Sequence, residues 1–99
     1  MSKRSRNKGY RGERYFVQQF RKAGLKAVRV PLSGATEFAK GDLIVEGMTA
    51  EVKIRHNGFK EIYKWLEEKD ILCLKADRKD GLIVMPLETF LSILKGVKK

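Results

Sequence analysis

The chain has 99 residues, of which 42% are hydrophobic, so it is long enough for one domain with a modest hydrophobic core. Lys and Arg number 22 against 12 Asp and Glu, a formal net charge of +10, which indicates a polyanionic partner such as nucleic acid. We expect no membrane span and no secretory signal, because no apolar run approaches the roughly 20 residues of a span and the basic N-terminus lacks an apolar segment. An anionic membrane surface fits less well than nucleic acid, since no strongly apolar helix carries a one-sided basic face.

The N-terminal part of the chain predicts a basic arm followed by a helix. Residues 1–11 carry five basic residues and no acid, which favours a flexible basic arm. Apolar residues at helical spacing predict a helix over about 11–23 that ends at Gly24, and Glu13 falls on the same stripe. We expect the rest of the chain, residues 12–99, to form a single domain.

A strand, a loop and a hairpin follow the first helix. Residues 25–30 predict the strand, and the broken segment 31–40 predicts a loop whose length favours a functional role. Residues 42–55 predict two strands around a tight turn at Glu46-Gly47, because glycine supplies the positive φ that such turns need. A turn symmetric about that dipeptide places Asp42 opposite Glu51.

The two faces of this hairpin differ in polarity. One face is apolar and comprises Leu43, Val45, Met48, Ala50, Val52 and Ile54. Asp42, Glu51 and Lys53 share the other face. Like charges that are directly opposed destabilise a strand pair, so two facing carboxylates predict a cation between them. The pattern therefore indicates a divalent-metal site.

The C-terminal part predicts a helix over about 59–68, strands at 71–76 and 82–85, and a last helix that begins at Pro86 and ends at Gly96. The apolar stripe of the last helix is assigned to the core and comprises Leu87, Phe90, Leu91 and Leu94. The resulting order, αβββαββα, predicts an α/β fold with one mixed five-stranded β-sheet flanked by helices.

Three further residues of this part invite interpretation. Cys73 is interpreted as a buried strand residue in a reducing cytoplasm, that of a host cell if the source is a virus. Tyr63 and Trp65 are interpreted as core or dimer packing, with base stacking as the alternative.

Asp42 followed by Glu51-Val52-Lys53 resembles the Asp…(Asp/Glu)-x-Lys signature of the restriction-endonuclease-like nuclease superfamily. Two carboxylates can hold Mg²⁺ while it keeps several waters for substrate contact. The ion polarises the scissile phosphate, and Lys53 orients the attacking water or neutralises the developing charge. Mn²⁺ suits the same ligands.

A second, longer pattern covers about residues 8–55. Its segments are Lys8-Gly9, Gly12-Glu13-Arg14, Val28–Ser33, Asp42–Val45 and Glu51–Lys53. In order and approximate spacing they resemble the motifs of the archaeal-type Holliday junction resolvases, with Gly41 where many relatives have proline. The resemblance implies an active-site set of Glu13, Asp42, Glu51 and Lys53, in which the three acids hold the metal or its waters. It also implies DNA contacts by Arg14 and Arg29 and a role in cleavage for Ser33 in the loop.

Further basic residues are expected to contact DNA phosphates. Those of the arm are Lys3, Arg4, Arg6, Lys8 and Arg11, for which a solubilising tail is the alternative. Arg55, His56 and Lys60 extend the basic surface beyond the hairpin. His56 is interpreted as a solvated turn residue, with a ligand or a base as the alternative.

The expected function is Mg²⁺-dependent resolution of four-way DNA junctions. Two symmetric cuts require two metal sites, which predicts a C2 homodimer. We expect no small-molecule cofactor. Two alternatives remain: another DNA nuclease of this fold, such as a replication-repair type, and a non-catalytic basic protein that binds nucleic acid.

Overall fold

The structure, a computed structural model, describes the backbone of residues 3–30 and 41–96 and the side chains of residues 10–30 and 41–96. Its elements are α1 (Lys3–Lys22), β1 (Ala27–Arg29), β2 (Leu43–Val45), β3 (Met48–Ala50), α2 (Lys60–Leu66), β4 (Leu72–Leu74), β5 (Leu82–Val84) and α3 (Leu87–Leu94). This is the predicted order of helices and strands, and the mixed α/β class agrees with the sequence prediction.

The described strands form two sheets, so the prediction of one five-stranded mixed sheet is wrong. The order β1-β2-β3 makes an antiparallel three-stranded sheet, and β4-β5 makes an antiparallel pair. The chain also divides into two compact units, Met1–Ile54 and Arg55–Lys99. Each described strand has only three residues and pairs with its neighbour along the chain, which favours antiparallel pairing over the crossovers that parallel strands require.

The β2-β3 hairpin has the predicted register. Leu43 pairs with Ala50, as a turn centred on Glu46-Gly47 requires. Both turn residues have positive φ, 48° for Glu46 and 81° for Gly47, the combination that a type I′ turn needs. The local sequence therefore fixes which residues of the two strands oppose each other.

The core of the first unit lies between α1 and its sheet. The buried hydrophobic side chains are those of Val17, Phe20, Ala27, Val30, Leu43 and Val45. Helix α1 packs on β1 and β2, the first two strands of the sheet. Met48 pairs with Val45 and so lies on the predicted apolar face of the hairpin, but it is 42% exposed. Met48 is exposed because it lies on β3, at the edge of the sheet, whereas α1 packs on β1 and β2.

Helix α1 ends where predicted and begins earlier. Gly24 has a φ of +89°, and the Leu25 N–H donates to the Phe20 carbonyl oxygen at 3.0 Å, which is the Schellman arrangement at a helix C-terminus. The helix begins at Lys3 and not near residue 11, so most of the predicted arm is helical. Lys and Arg are good helix formers, and propagation from an existing helix adds one hydrogen bond per residue.

The second unit has no buried residue within its described range, 55–96. The stripe of α3 is half-buried, and Tyr63 and Trp65 of α2 are 74% and 49% exposed, so neither is core. Cys73 is exposed, which corrects its prediction as a buried residue. It pairs with Ile83, itself 54% exposed, so this side of the two-stranded sheet is open.

Within the described ranges, no helix combines the length and the apolar character that a membrane crossing needs.

Candidate functional site

Asp42, the residue immediately before β2, is held by three hydrogen bonds. Its N–H donates to the Ala50 carbonyl oxygen at 2.7 Å, and its own carbonyl oxygen accepts from the Val30 N–H at 2.9 Å. Its side-chain Oδ2 accepts from the Val52 N–H at 2.7 Å. The Asp42 carboxylate is therefore fixed against the segment that continues β3.

Gly41 makes this placement of Asp42 feasible. Its φ is +97°, a conformation that residues with a Cβ rarely adopt, and an added Cβ would lie 2.8 Å from the Ala50 carbonyl oxygen. Because that oxygen belongs to the backbone of the neighbouring strand, β3, it cannot easily move away. A glycine before Asp42 thus has a local structural reason in this chain.

Glu51 and Lys53 lie on one side of the same segment. The Nζ of Lys53 is 3.2 Å from Oε2 of Glu51, and both side chains are 56% exposed. This contact agrees with the prediction that the two residues share a face. With Asp42 bonded to the intervening Val52, three of the four predicted active-site residues converge on one short stretch of chain.

The donor set of Asp42 and Glu51 fits Mg²⁺, which proteins usually hold through one or two carboxylates while several waters remain on the ion. The contacts described above use one oxygen of each carboxylate. Among the described residues, no three His, Cys, Asp or Glu side chains are grouped so that they could hold a metal ion. The two carboxylates that the hairpin brings to this stretch of chain, Asp42 and Glu51, are the candidate ligands here.

Glu13 is directed to a different partner. Its Oε1 accepts a hydrogen bond from Nε of Arg29 at 2.8 Å, and its side chain is 20% exposed. The preceding residue, Gly12, is buried, and a Cβ there would lie 2.5 Å from Cγ1 of Ile54. This close approach sets the distance of α1 from the segment after β3, and with it the position of Glu13.

Tyr10 is a site residue that the sequence interpretation missed. The Arg29 guanidinium carbon lies 4.5 Å from the centre of the Tyr10 ring, within the range of a cation–π contact. Tyr10 and Glu13 are three residues apart on α1, a spacing that places both on one helical face. That spacing is a usable signal, but it was hidden because the helix was predicted to begin near residue 11.

The other predicted DNA contacts are distributed over both units. Arg11 and Arg14 are exposed on α1. In the second unit, Arg55 and His56 are exposed, and Lys60 is exposed at the start of α2. Four more residues lie in α1 with side chains outside the described part, namely Lys3, Arg4, Arg6 and Lys8. Ser33 belongs to residues 31–40, which also lie outside it.

Positive charge is concentrated in the first unit. Residues 1–54 contain 12 of the 22 Lys and Arg residues but only five of the 12 Asp and Glu residues. The residues that carry the Asp42 site therefore also carry most of the net positive charge. This is the distribution expected of a unit that binds a polyanion.

Comparisons of the chain with protein-family models, with curated proteins and with solved structures each found no match. Function is therefore inferred from the hairpin, its carboxylates and the surrounding charges.

Proposed function

We propose that this protein is a Mg²⁺-dependent, structure-specific endonuclease with a restriction-endonuclease-like fold that resolves four-way DNA junctions by paired symmetric cuts. The observation that carries the proposal is the attachment of Asp42 to the Glu51–Lys53 segment through the Val52 amide. Two carboxylates and one amine on such a short stretch match the needs of metal-assisted phosphodiester hydrolysis.

Asp42 and Glu51 would hold the ion, which when bound supplies Lewis-acid activation of the phosphate and lowers the pKa of a bound water. The Glu51 carboxylate also holds the Lys53 amine at 3.2 Å, so the amine stays beside one of the two proposed ligands. From there Lys53 can donate to a phosphate oxygen or orient a water, and its charge opposes the negative charge that develops on phosphorus.

The proposed substrate follows from the charge of the first unit. Exposed guanidinium groups such as Arg11 and Arg14 suit contacts with phosphate oxygens, which position a protein on DNA without reading base sequence. A four-way junction needs two cuts at symmetric positions, and the described part of one chain offers one such carboxylate pair, Asp42 and Glu51. A C2 homodimer would supply both sites.

The proposed location is the cytoplasm, whose reducing conditions would keep Cys73 as a thiol.

The test is incubation of the full chain with a labelled synthetic four-way junction, with Mg²⁺, with Mn²⁺ and with neither, followed by mapping of nicks on all four strands. We expect paired symmetric nicks that require the divalent ion. Lys53→Ala should abolish the nicks and leave junction binding nearly unchanged. Lys22→Ala, which removes the same charge from an exposed position on α1, is the matched control and should cut normally.

Two results would contradict the proposal in different ways. Equal cutting of linear duplex and junction would point to another nuclease of this fold. Absence of cutting with any divalent ion would favour a non-catalytic protein that binds nucleic acid. One observation favours that second function: Glu13 and Glu51 both hold cationic side chains already, Arg29 and Lys53.

A further inference from the structure

Arg29 is held from two sides at the end of β1. Its guanidinium lies over the Tyr10 ring at 4.5 Å, and its Nε donates to Oε1 of Glu13 at 2.8 Å. Both partners come from one face of α1. The guanidinium is thus fixed by a flat aromatic surface and by a carboxylate, while 39% of the side chain stays exposed.

From this geometry we infer that Tyr10, Glu13 and Arg29 form a phosphate clamp, in which Arg29 binds a DNA phosphodiester and Glu13 is a positioning residue for Arg29, not a ligand of the metal. The inference rests on the proposed function for its substrate. It assigns Glu13 a different role from the one that the sequence resemblance implies.

The hydrogen bond from Arg29 to Glu13 uses Nε and not the two terminal amino groups, which are the groups suited to binding a phosphate. Glu13 takes the Nε donor, whereas the two terminal amino groups carry the four N–H donors that grip phosphate oxygens in pairs. A guanidinium already fixed in orientation loses less conformational entropy when it binds. The Tyr10 ring and the Glu13 carboxylate therefore prepare Arg29 for a planar, two-pronged contact.

The clamp lies at the same end of the sheet as Asp42. Arg29 pairs with Leu43, the residue after Asp42, and the Val30 N–H donates to the Asp42 carbonyl oxygen. A phosphate on Arg29 would therefore belong to the stretch of DNA that reaches the carboxylate pair. This proximity connects the clamp to positioning of the strand that is cut.

Two observations separate Glu13 from Glu51 as a candidate metal ligand. The Glu13 side chain is only 20% exposed, and its Oε1 lies 2.8 Å from a guanidinium that the Tyr10 ring also holds. The Glu51–Lys53 contact is longer, 3.2 Å, and both of its side chains are 56% exposed, so Glu51 can exchange its amine for an ion more easily. A carboxylate neutralised by Arg29 is suited to orient that arginine. It is less suited to attract Mg²⁺.

The test is binding of a labelled four-way DNA junction in EDTA, without any divalent ion, by the full chain and its variants. Glu13→Ala should weaken binding about fivefold even though it removes a negative charge, the size of effect expected from an exposed ion pair. Glu13→Gln should bind within about twofold of the parent, because its amide oxygen can still accept from Nε. In an Arg29→Ala background, Glu13→Ala should cause no further loss.

A second pair of variants examines the ring. Tyr10→Phe keeps the aromatic face and should bind like the parent, whereas Tyr10→Leu removes it and should weaken binding about threefold. Thermal unfolding of every variant shows whether it is folded.

A cleavage assay tests whether Glu13 holds the metal. In the parent and in Glu13→Gln, the Mg²⁺ concentration for half-maximal cleavage should be the same.

The clamp is overturned if Glu13→Ala binds DNA as tightly as the parent or more tightly. It is also overturned if Glu13→Gln binds normally but needs far more Mg²⁺ or loses cleavage, since that outcome identifies a metal ligand. Because the binding assay contains no metal, a parent chain that never cuts DNA would defeat the proposed nuclease function and leave this measurement intact.

Discussion

The backbone N–H of Val52 donates a hydrogen bond of 2.7 Å to Oδ2 of Asp42, so the carboxylate that we propose as a metal ligand also joins two segments of the hairpin. Two roles therefore coincide in Asp42. One role needs only an acceptor oxygen, whereas the other needs negative charge. Substitutions that keep the oxygen and remove the charge can separate them.

Asp42→Asn should keep the fold and lose the proposed activity. The amide oxygen can still accept from Val52, so the free energy of unfolding should change by less than about 0.5 kcal/mol, below the roughly 1 kcal/mol of a typical hydrogen bond. Cleavage should fall by at least about a hundredfold, because a neutral amide holds Mg²⁺ poorly and stabilisation of the charged transition state is lost. Urea unfolding and junction cleavage measure the two effects.

Asp42→Ala is the matched comparison, since it removes both the charge and the acceptor. We expect the same loss of cleavage together with about 1 kcal/mol of destabilisation, because the Val52 N–H loses its partner. If Asp42→Asn cleaves like the parent, Asp42 has only the structural role and the proposed metal site is wrong.

Gly41→Ala should destabilise the first unit more than Gly47→Ala does. Both glycines have positive φ, +97° and +81°, but only at Gly41 would a Cβ meet the Ala50 carbonyl oxygen, at 2.8 Å. Around Gly47 there is no heavy atom within 4 Å of such a Cβ among those described. The backbone penalty of about 1 kcal/mol is shared by both variants, and the clash should add at least about 1 kcal/mol to Gly41→Ala alone.

Chemical denaturation compares the two glycine variants directly, and cleavage adds a second readout. Gly41→Ala should also reduce cleavage, because the strain falls on the residue before Asp42, whereas Gly47→Ala should cut like the parent. Equal destabilisation by both substitutions would mean that the hairpin end can relax, contrary to the geometry.

The hairpin could be predicted from the sequence because its information is local. Glu46-Gly47 selects the turn, the turn fixes the register, and the register places Asp42 near the Glu51–Lys53 segment. Each step involves residues at most eleven positions apart. The end of α1 was predictable for the same reason, since Gly24 carries the positive φ of a helix C-cap.

Other features depend on packing that no short pattern encodes. The start of α1 is hard to predict because a segment rich in Lys and Arg can be helical or extended. In addition, neither Ser2 nor Ser5 is followed three residues later by the Glu or Gln of a capping box. The error in the start of α1 hid Tyr10, whose role appears only when it is placed one turn before Glu13. Cys73 was misjudged because an apolar run in a strand does not reveal whether a second layer covers it.

The partner that the Glu13 side chain contacts also could not be predicted from the sequence. Its place on the apolar stripe of the first helix was recognised, and the structure leaves it only 20% exposed. Its partner, Arg29, lies 16 residues away on β1, and nothing in the spacing distinguishes an ion pair from a metal ligand. Long-range pairing of this kind requires coordinates.

The effect of Gly12→Ala on the free energy of unfolding should change sign with the side chain at position 54. A Cβ at Gly12 would lie 2.5 Å and 2.7 Å from two side-chain carbons of Ile54, so overpacking of about 1–3 kcal/mol should outweigh the roughly 1 kcal/mol that alanine gains over glycine within a helix. In an Ile54→Ala background those two carbons are gone. There the same substitution should stabilise by up to about 1 kcal/mol, the helix-propensity gain alone.

A double-mutant cycle in urea measures this coupling between Gly12 and Ile54. Destabilisation by Gly12→Ala of similar size in both backgrounds would show that Ile54 is not the obstacle. The approach of α1 to the segment after β3, which positions Glu13, would then need another explanation.

Removal of phosphate contacts should change the salt dependence of DNA binding as well as its strength. On duplex DNA, each neutralised phosphate contributes about 0.9 to the slope of log affinity against log salt concentration. Arg14→Gln, on the exposed surface of α1, should therefore lower the slope by close to one unit.

Lys75→Gln is the matched control. It removes an equal charge at an exposed position in the less basic second unit and should leave the slope unchanged. Fluorescence anisotropy at several salt concentrations gives both values. Equal slopes for Arg14→Gln and the parent would remove Arg14 from the DNA-binding surface, whereas a reduced slope for Lys75→Gln would extend that surface to the second unit.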